Sequence, residues 1–348
     1  MSDVNQLKVI NPLDYPEWDK LVLSTKDYSF FHSSAWAKVL YETYRYKPIY
    51  FTLIKDNQLL ALIPFMEVGG ILNGKKGISL PFSDYCKTIG IDKDDFQNVI
   101  SLLKEYGKDH GWKSLEFRDG NIFPEELYPS SEYINHTLEI SENTEPTFSS
   151  FRDSTKRNIK KSEREGVEVK ILNSLESLNE FYRLHCITRK KHGVPPQPYN
   201  FFKKIYENII SKYRGIIVLA SHNKSVIAGA VYFHFGDKAI FKYGASDANY
   251  NHLRPNNLIM WEAIRFYSKM GCKSFCFGRT EPENIGLMQF KNGWRAKKEI
   301  IKYYIYDIRR ESYIQNSFKV SDIYHSVFQK MPLPLLKFAG SFLYRHIG

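Results

Sequence analysis

One arrangement of elements can be read twice along this chain, and few folds accommodate it. In the first half, Pro48–Lys55 and Gln58–Met66 read as strands joined by an Asp56-Asn57 turn. Asp94–His110 follows with helical spacing of Phe96, Val99, Ile100, Leu103 and Tyr106, and Gly111 closes it. The strand Lys113–Arg118 comes next. In the second half, Gly215–Ala220 and Val226–Phe235 flank the turn SHNKS, and a third strand, Ala239–Tyr243, succeeds them. A helix over Asn257–Met270, capped by Gly271, leads to the strand Lys273–Gly278, expected to run parallel to the preceding strand. Strand–turn–strand, helix, strand builds a mixed α/β sheet with helices on its faces. Two such units would flank a cleft suited to a substrate.

The polar, Pro-containing segment Ser141–Ser150 reads as the tie between the units. The expected divisions are 1–145 for the first domain, 146–310 for the second and 311–348 for a helical tail. Leu335, Leu336, Phe338, Ala339, Phe342 and Leu343 mark an apolar stripe in that tail, expected to pack back on the first domain. A shallow membrane contact is its other reading. No stretch approaches the length of a spanning helix, and the opening residues MSDVNQLKVI carry no export signal, so a cytoplasmic protein is expected. Cys86, Cys186, Cys272 and Cys276 read as reduced core thiols; no Cys/His pair with zinc spacing stands beside them. His32 and His192 are the histidines whose positions stand out.

Charge separates the halves. Residues 1–150 carry 15 Lys+Arg against 22 Asp+Glu, a net of −7; the remainder carries 34 against 16, a net of +18. The densest basic stretch is Phe151–Gly166. Lys156, Lys160 and Arg164 recur every fourth residue, with Arg157 and Lys161 beside them, so one helix face becomes a band of cations. Gly166 is placed to end that helix. Such a band suits a polyanion, whether RNA, a nucleotide diphosphate or an anionic membrane, or a solvated face laced with Asp153, Glu163 and Glu165.

STKRNIKKSEREGVEV, the Pro-rich approach to YNFF, FKYGAS, NLIMWEA, FGRTEPENIGLMQFKNG and the early Trp36-Ala37-Lys38 occur in an order that resembles the FemABX family of non-ribosomal peptidyl transferases. The resemblance implies two domains of the acetyltransferase (GNAT) type. It also implies amide formation on a cell-envelope precursor of peptidoglycan or polysaccharide type, with aminoacyl-tRNA as donor and no cofactor. An acyl thioester is the alternative donor, and a non-catalytic RNA or membrane-surface binder is the alternative class.

By that resemblance Phe290-Lys291 is the family's Phe-Lys pair, with the lysine steadying the oxyanion of acyl transfer. Lys38 matches a lysine contacting the diphosphate of a nucleotide-linked acceptor, and Tyr243 matches a tyrosine of the acceptor cleft. Phe241 stands where some members have a second tyrosine, and Gln197 where the relevant members carry a diphosphate-gripping arginine. The position matching the suggested base is Arg118, which leaves Asp119 or Asp84 as proton acceptor. Arg279, just past a strand end, is read as a substrate contact, and the basic helix as a track for tRNA phosphates. The place of the CoA-cradling glycine loop, Asn249–Asn257, contains no glycine and includes Pro255.

Overall fold

The computed structural model describes residues 6–70, 74–119, 122–315 and 322–347. In chain order its elements begin with β1 (Lys8–Ile10), α1 (Trp18–Leu23), α2 (Ser34–Tyr44), β2 (Lys47–Lys55), β3 (Gln58–Gly70), β4 (Gly74–Ile78), α3 (Phe96–Asp109), β5 (Trp112–Phe117) and β6 (Ser131–Glu139). Then come α4 (Glu145–Ser150), α5 (Asp153–Arg164), β7 (Glu168–Leu172), α6 (Leu175–Lys191), α7 (Tyr199–Asn208), β8 (Gly215–His222), β9 (Ser225–Phe235) and β10 (Lys238–Ser246). The series closes with α8 (Pro255–Lys269), β11 (Ser274–Cys276), α9 (Ile285–Asn292), β12 (Lys297–Asp307), β13 (Ser312–Tyr313), α10 (Asp322–Lys330) and α11 (Leu333–Ile347). Two compact units result. The first comprises residues 1–134, 300–319 and 343–348, and the second 135–299 and 320–342.

The doubled pattern is present in both units. In the first, β2, β3 and β4 run antiparallel, α3 crosses over, and β5 pairs parallel with β4. In the second, β8, β9 and β10 run antiparallel, α8 crosses over, and β11 pairs parallel with β10. The repeat thus includes a third strand in the first unit, β4, that the sequence pattern alone does not single out. Its GKKGI composition lacks the apolar alternation of a strand, and pairing on both sides defines it. The first hairpin turns on Asp56 and Asn57, at φ 50° and 57°, as a two-residue primed turn requires.

Each unit has its own aromatic core. Phe65, Trp112, Phe117, Phe123 and Tyr304 form the centre of the first. Phe151, Trp261, Tyr267, Phe275 and Trp294 centre the second. Helices α6 and α8 contact the second sheet, and α5 packs on α8 through buried Thr155, Ile159 and Ser162. The segment Ser141–Ser150, expected as a polar tie, instead contains α4, with the Phe148 ring 5.0 Å from that of Trp261. An aromatic side chain with a core partner holds it down.

The tail departs in part from expectation. Residues through Phe342 cluster with the second unit, where Leu336 is buried and Gly340 lies so close to Pro196 that a Cβ would come 2.1 Å from its carbonyl oxygen. Only the last turn belongs to the first unit, where Tyr46 Oη donates to the carbonyls of Tyr344 and Arg345 at 2.9 and 3.1 Å. Among the described residues no helix is long and apolar enough to cross a membrane.

Candidate active site

Lys291 is a buried lysine, 1% exposed, on α9. Asn284 caps that helix, its side chain accepting from the Leu287 N–H at 3.1 Å. The chain leaves β11 through Gly278, at φ 69°, and this turn presents its carbonyls to α9. Lys291 Nζ donates to Gly278 O at 2.7 Å and to Arg279 O at 3.1 Å. The ammonium is therefore fixed just beyond the carboxyl end of the strand that runs parallel to β10. Ligands of open α/β sheets gather at such ends. Arg279 is half-buried, and its carbonyl forms part of this seat. The neighbouring Asn292 Oδ1 lies 3.1 Å from His136 Nε2. Burial lowers the His136 pKa; the Asn292 bond opposes this, and the charge of Lys291 adds to it.

One residue back on α9, Phe290 lines a cavity of about 540 Å³ wholly within the second unit. Gly229, Ala230 and Tyr232 of β9, Phe241 and Gly244 of β10, and Asn256, Ile259 and Met260 of α8 form its walls, with Asn284, Gly286 and Leu287 opposite. None of the residues lining it is Asp, Glu, Lys or Arg. Its polar groups are Thr188, Ser246, Asn251, Asn256, Asn284 and His192. Burial pulls the His192 pKa down, aided by Lys191 and Arg189, so the ring is neutral near pH 7. The sequence singles out His192 and Phe290 but not the asparagines. Two of these, Asn251 and Asn256, fall in the glycine-free run read as a missing CoA loop. Pro255 there occupies the first turn of α8, where its lacking N–H costs the helix no bond.

Tyr243 and Gln197 are placed elsewhere. Register shifts between Phe241 and Tyr243: Phe241 opposes Tyr232 and Tyr243 opposes Val231, so Lys242 is an inserted residue. The bulge puts two residues that simple alternation would align on opposite faces. Phe241 lines the cavity, whereas Tyr243 packs against Phe201, Phe202 and His185 of α7 and α6. Gln197 is buried, with Oε1 2.8 Å from His185 Nε2, and its carbonyl accepts from Tyr182 Oη. It serves as the partner of an interior histidine.

Burial pushes the His185 pKa down to about 3, with repulsion from Arg189 adding and the Gln197 bond opposing. The folded chain thus keeps this ring neutral where an unfolded chain, with a pKa near 6.5, binds a proton. Stability is complete above that pH and declines as the pH falls below it. Chemical denaturation should show a loss of about 2 kcal/mol from this ring between pH 6.5 and 5. His185→Gln should flatten that limb; an unchanged slope would show that the imidazole is not the cause.

In the first unit, Arg118 and Asp119 follow β5, the strand equivalent to β11. Arg118 is buried, with Nε 2.9 Å from Glu116 Oε1, and Asp119 is half-buried. Lys76 on β4 is part of this charge cluster: burial lowers its pKa, Glu116 opposes and Arg118 adds. Periodicity gives no hint of it. Asp84 is buried, and its carbonyl accepts from Tyr303 Oη at 2.8 Å. Lys38 is exposed on α2, 3.9 Å from Glu42. His32 is buried, its Nδ1 accepting from the Ser29 N–H and its Nε2 2.8 Å from Lys87 O, a structural role.

The basic helix forms as its spacing predicts, with Gly166 at φ 74° ending it. Lys156 bonds Asp153 and the Ser149 carbonyl, and Arg164 lies 3.6 Å from Glu165. Arg157 and Lys160 are exposed and Lys161 half-exposed; among the described residues no ion pair within 4.0 Å engages them.

Residues 149–292, within the second unit, match the family model described as an acetyltransferase (GNAT) domain. Over 98 residues, 26% of this chain and 23% of the relative, the sequence is 32% identical to a "Lipid II:glycine glycyltransferase" of Staphylococcus haemolyticus. Over 161 residues, 44% of this chain and 47% of the relative, it is 23% identical to "UDP-N-acetylmuramoylpentapeptide-lysine N(6)-alanyltransferase" of Weissella viridescens. The matches thus span less than half the length of these curated relatives. Among solved structures, "Crystal structure of FemX" superposes with a TM-score of 0.67 at 15% identity, covering 88% of this chain and 98% of that one. A "Tandem GNAT protein from the clavulanic acid biosynthesis pathway" gives 0.50 at 6% identity, covering 87% and 98%.

Proposed function

Since the chain belongs to the FemABX family of tandem GNAT-type proteins, we propose that it is an aminoacyl transferase that forms an amide on a peptidoglycan-type cell-envelope precursor, with aminoacyl-tRNA as donor. The observation that carries this reading is the buried Lys291 ammonium, fixed by two carbonyls at the end of β11 and one residue along α9 from Phe290, which lines the uncharged cavity. The names of the two curated relatives, a glycyl- and an alanyltransferase, support the reaction class and a lipid- or nucleotide-linked acceptor.

In this mechanism the acceptor amine attacks the ester carbonyl of the donor. The C–N bond forms, and negative charge gathers on the carbonyl oxygen. Lys291 would stabilise that charge, and a fixed ammonium needs no reorganisation as the charge develops. The tetrahedral species then expels the ribose oxygen as the C–O bond breaks. The amine proton passes to a base, for which Asp119 is the candidate, and a proton reaches the leaving oxygen. Lys38 would meet acceptor phosphate and Arg279 the substrate near the strand end. The uncharged cavity beyond Phe290 would hold the acyl portion of the donor. Tyr243 and Gln197 would shape that region through the α6–α7 packing, without touching substrate.

The direct test incubates the purified protein with mixed aminoacyl-tRNA and with lipid-linked or nucleotide-linked muramyl pentapeptide, and reads products by mass spectrometry. An amide adduct on either precursor is the expected result. Adducts only when acyl-CoA replaces the tRNA would move the donor to a thioester, for which the same cavity offers room. No adduct with any donor would refute the reading.

The exposed cations of α5 give a second measurable consequence. If about four of them meet phosphates, tRNA affinity should fall roughly 150-fold between about 50 and 200 mM salt. Filter binding at four salt concentrations measures the slope, and Arg157→Gln with Lys160→Gln should reduce it by about two units. A flat salt response would remove tRNA as the polyanion.

A further inference from the structure

We propose that α11 is an interfacial anchor that lays the second unit on an anionic membrane. The helix buries one side and leaves the other open. Leu336 and Gly340 face the protein, whereas Leu335, Phe338 and Phe342 are 58%, 76% and 52% exposed. Positions 335, 338 and 342 fall on one stripe of a helix, so the exposed apolar groups lie in line along its axis. Arg345, exposed, lies beside that stripe, whereas Lys337 turns toward α6, its Nζ 5.4 Å from the centre of the Tyr182 ring. Lys330 precedes it on α10, and after Asp322 the chain contains no Asp or Glu.

The surface next to the helix continues this character. Ile187, 37% exposed, and Lys190 and Lys191 of α6 share a groove with Gln329 and Leu333. Gln329 Nε2 donates to the Lys191 carbonyl at 3.1 Å, which ties α10 to that helix end. Apolar side chains in line, flanked by cations with no acidic residue among them, match the boundary between acyl chains and anionic headgroups. A second copy of this chain fits less well. A symmetric pairing through this face would bring the cations around it, Arg345, Lys190 and Lys191, toward the cations of the other copy. The helix is too short and too charged to span, so it lies in the plane of the surface.

The proposal goes beyond transfer chemistry and is tested without it. The full chain is mixed with vesicles of phosphatidylcholine alone, or of phosphatidylcholine with 30% phosphatidylglycerol as the probe membrane. Binding is read by flotation. The chain should float with the anionic vesicles and much less with the neutral ones. The double variant Leu335→Ser, Phe338→Ser, which leaves net charge unchanged, should lower partition tenfold or more. Both positions are exposed, so its circular dichroism and melting should match the parent. Equal flotation of the variant would assign membrane binding to the basic surface generally and overturn the proposal. Absence of flotation with anionic vesicles overturns it too. So does a parent dimer that the double variant converts to monomer without any vesicle binding, because the occupant is then a second copy.

Discussion

Lys291→Met is expected to lower turnover by about 10²- to 10³-fold, the usual effect of removing one group that stabilises an acyl-transfer oxyanion. Methionine keeps the length of the aliphatic stem and removes only the charge and its donors. The carbonyls of Gly278 and Arg279 would then lose the bonds they accept from Nζ. Each buried polar group left unpaired costs about 1–3 kcal/mol, so the melting temperature should fall by several degrees as well. The two effects can be separated. Turnover is measured per folded molecule, below the onset of melting, and acceptor affinity is measured by calorimetry. Affinity should stay within about twofold of the parent, because a group used only in the transition state contributes little to ground-state binding. A lysine with a purely architectural role would give the opposite result: a lower melting temperature with turnover per folded molecule intact. That outcome would remove Lys291 from the chemistry.

Gly286→Phe should weaken use of the donor by about 100-fold while leaving the fold untouched. Gly286 lines the cavity from α9, and a Cβ there would meet nothing within 4 Å. A larger residue can therefore enter the space without moving the backbone, and replacing a helical glycine removes its entropic cost of about 1 kcal/mol. A phenyl ring in the cavity should raise the donor KM or lower kcat/KM by about 100-fold, a loss of roughly 2.7 kcal/mol. Acceptor affinity should not change. Unaltered kinetics with the donor would show that the acyl group is held elsewhere, whatever the fate of Lys291. The two variants are thus independent. One addresses the charge at the strand end, and the other addresses the space beside it.

Local signals carried much of the fold. The primed turn at Asp56-Asn57, the apolar spacing of α3 and α8, and the glycine ending α5 all depend on nearby residues, and all are where the sequence places them. Elements fixed by distant partners were not legible. Strand β12 pairs with β5 across more than half the chain, so no local pattern announces it. Four of the five residues of strand β4 are glycine or lysine, and its neighbours define it. The site shows the same division. Motif order drew attention to Phe290 and Lys291, but the burial of Lys291 follows from the turn at Gly278, which its own neighbours do not reveal. Gln197 is singled out only by the resemblance, as the place of a diphosphate-gripping arginine, and its burial depends on His185, twelve residues upstream on α6.

The inserted residue at Lys242 has a bearing on how this strand can change. In an unbroken pleat, residues 241 and 243 would share one environment, and altering either would disturb the other. Here they look out on different neighbourhoods: one on open volume, one on a tight aromatic packing. Substitution at 241 can therefore resize the space offered to a small molecule while the scaffold keeps its grip on α7. A single extra amino acid separates the wall of the cavity from the packing of this strand on α7.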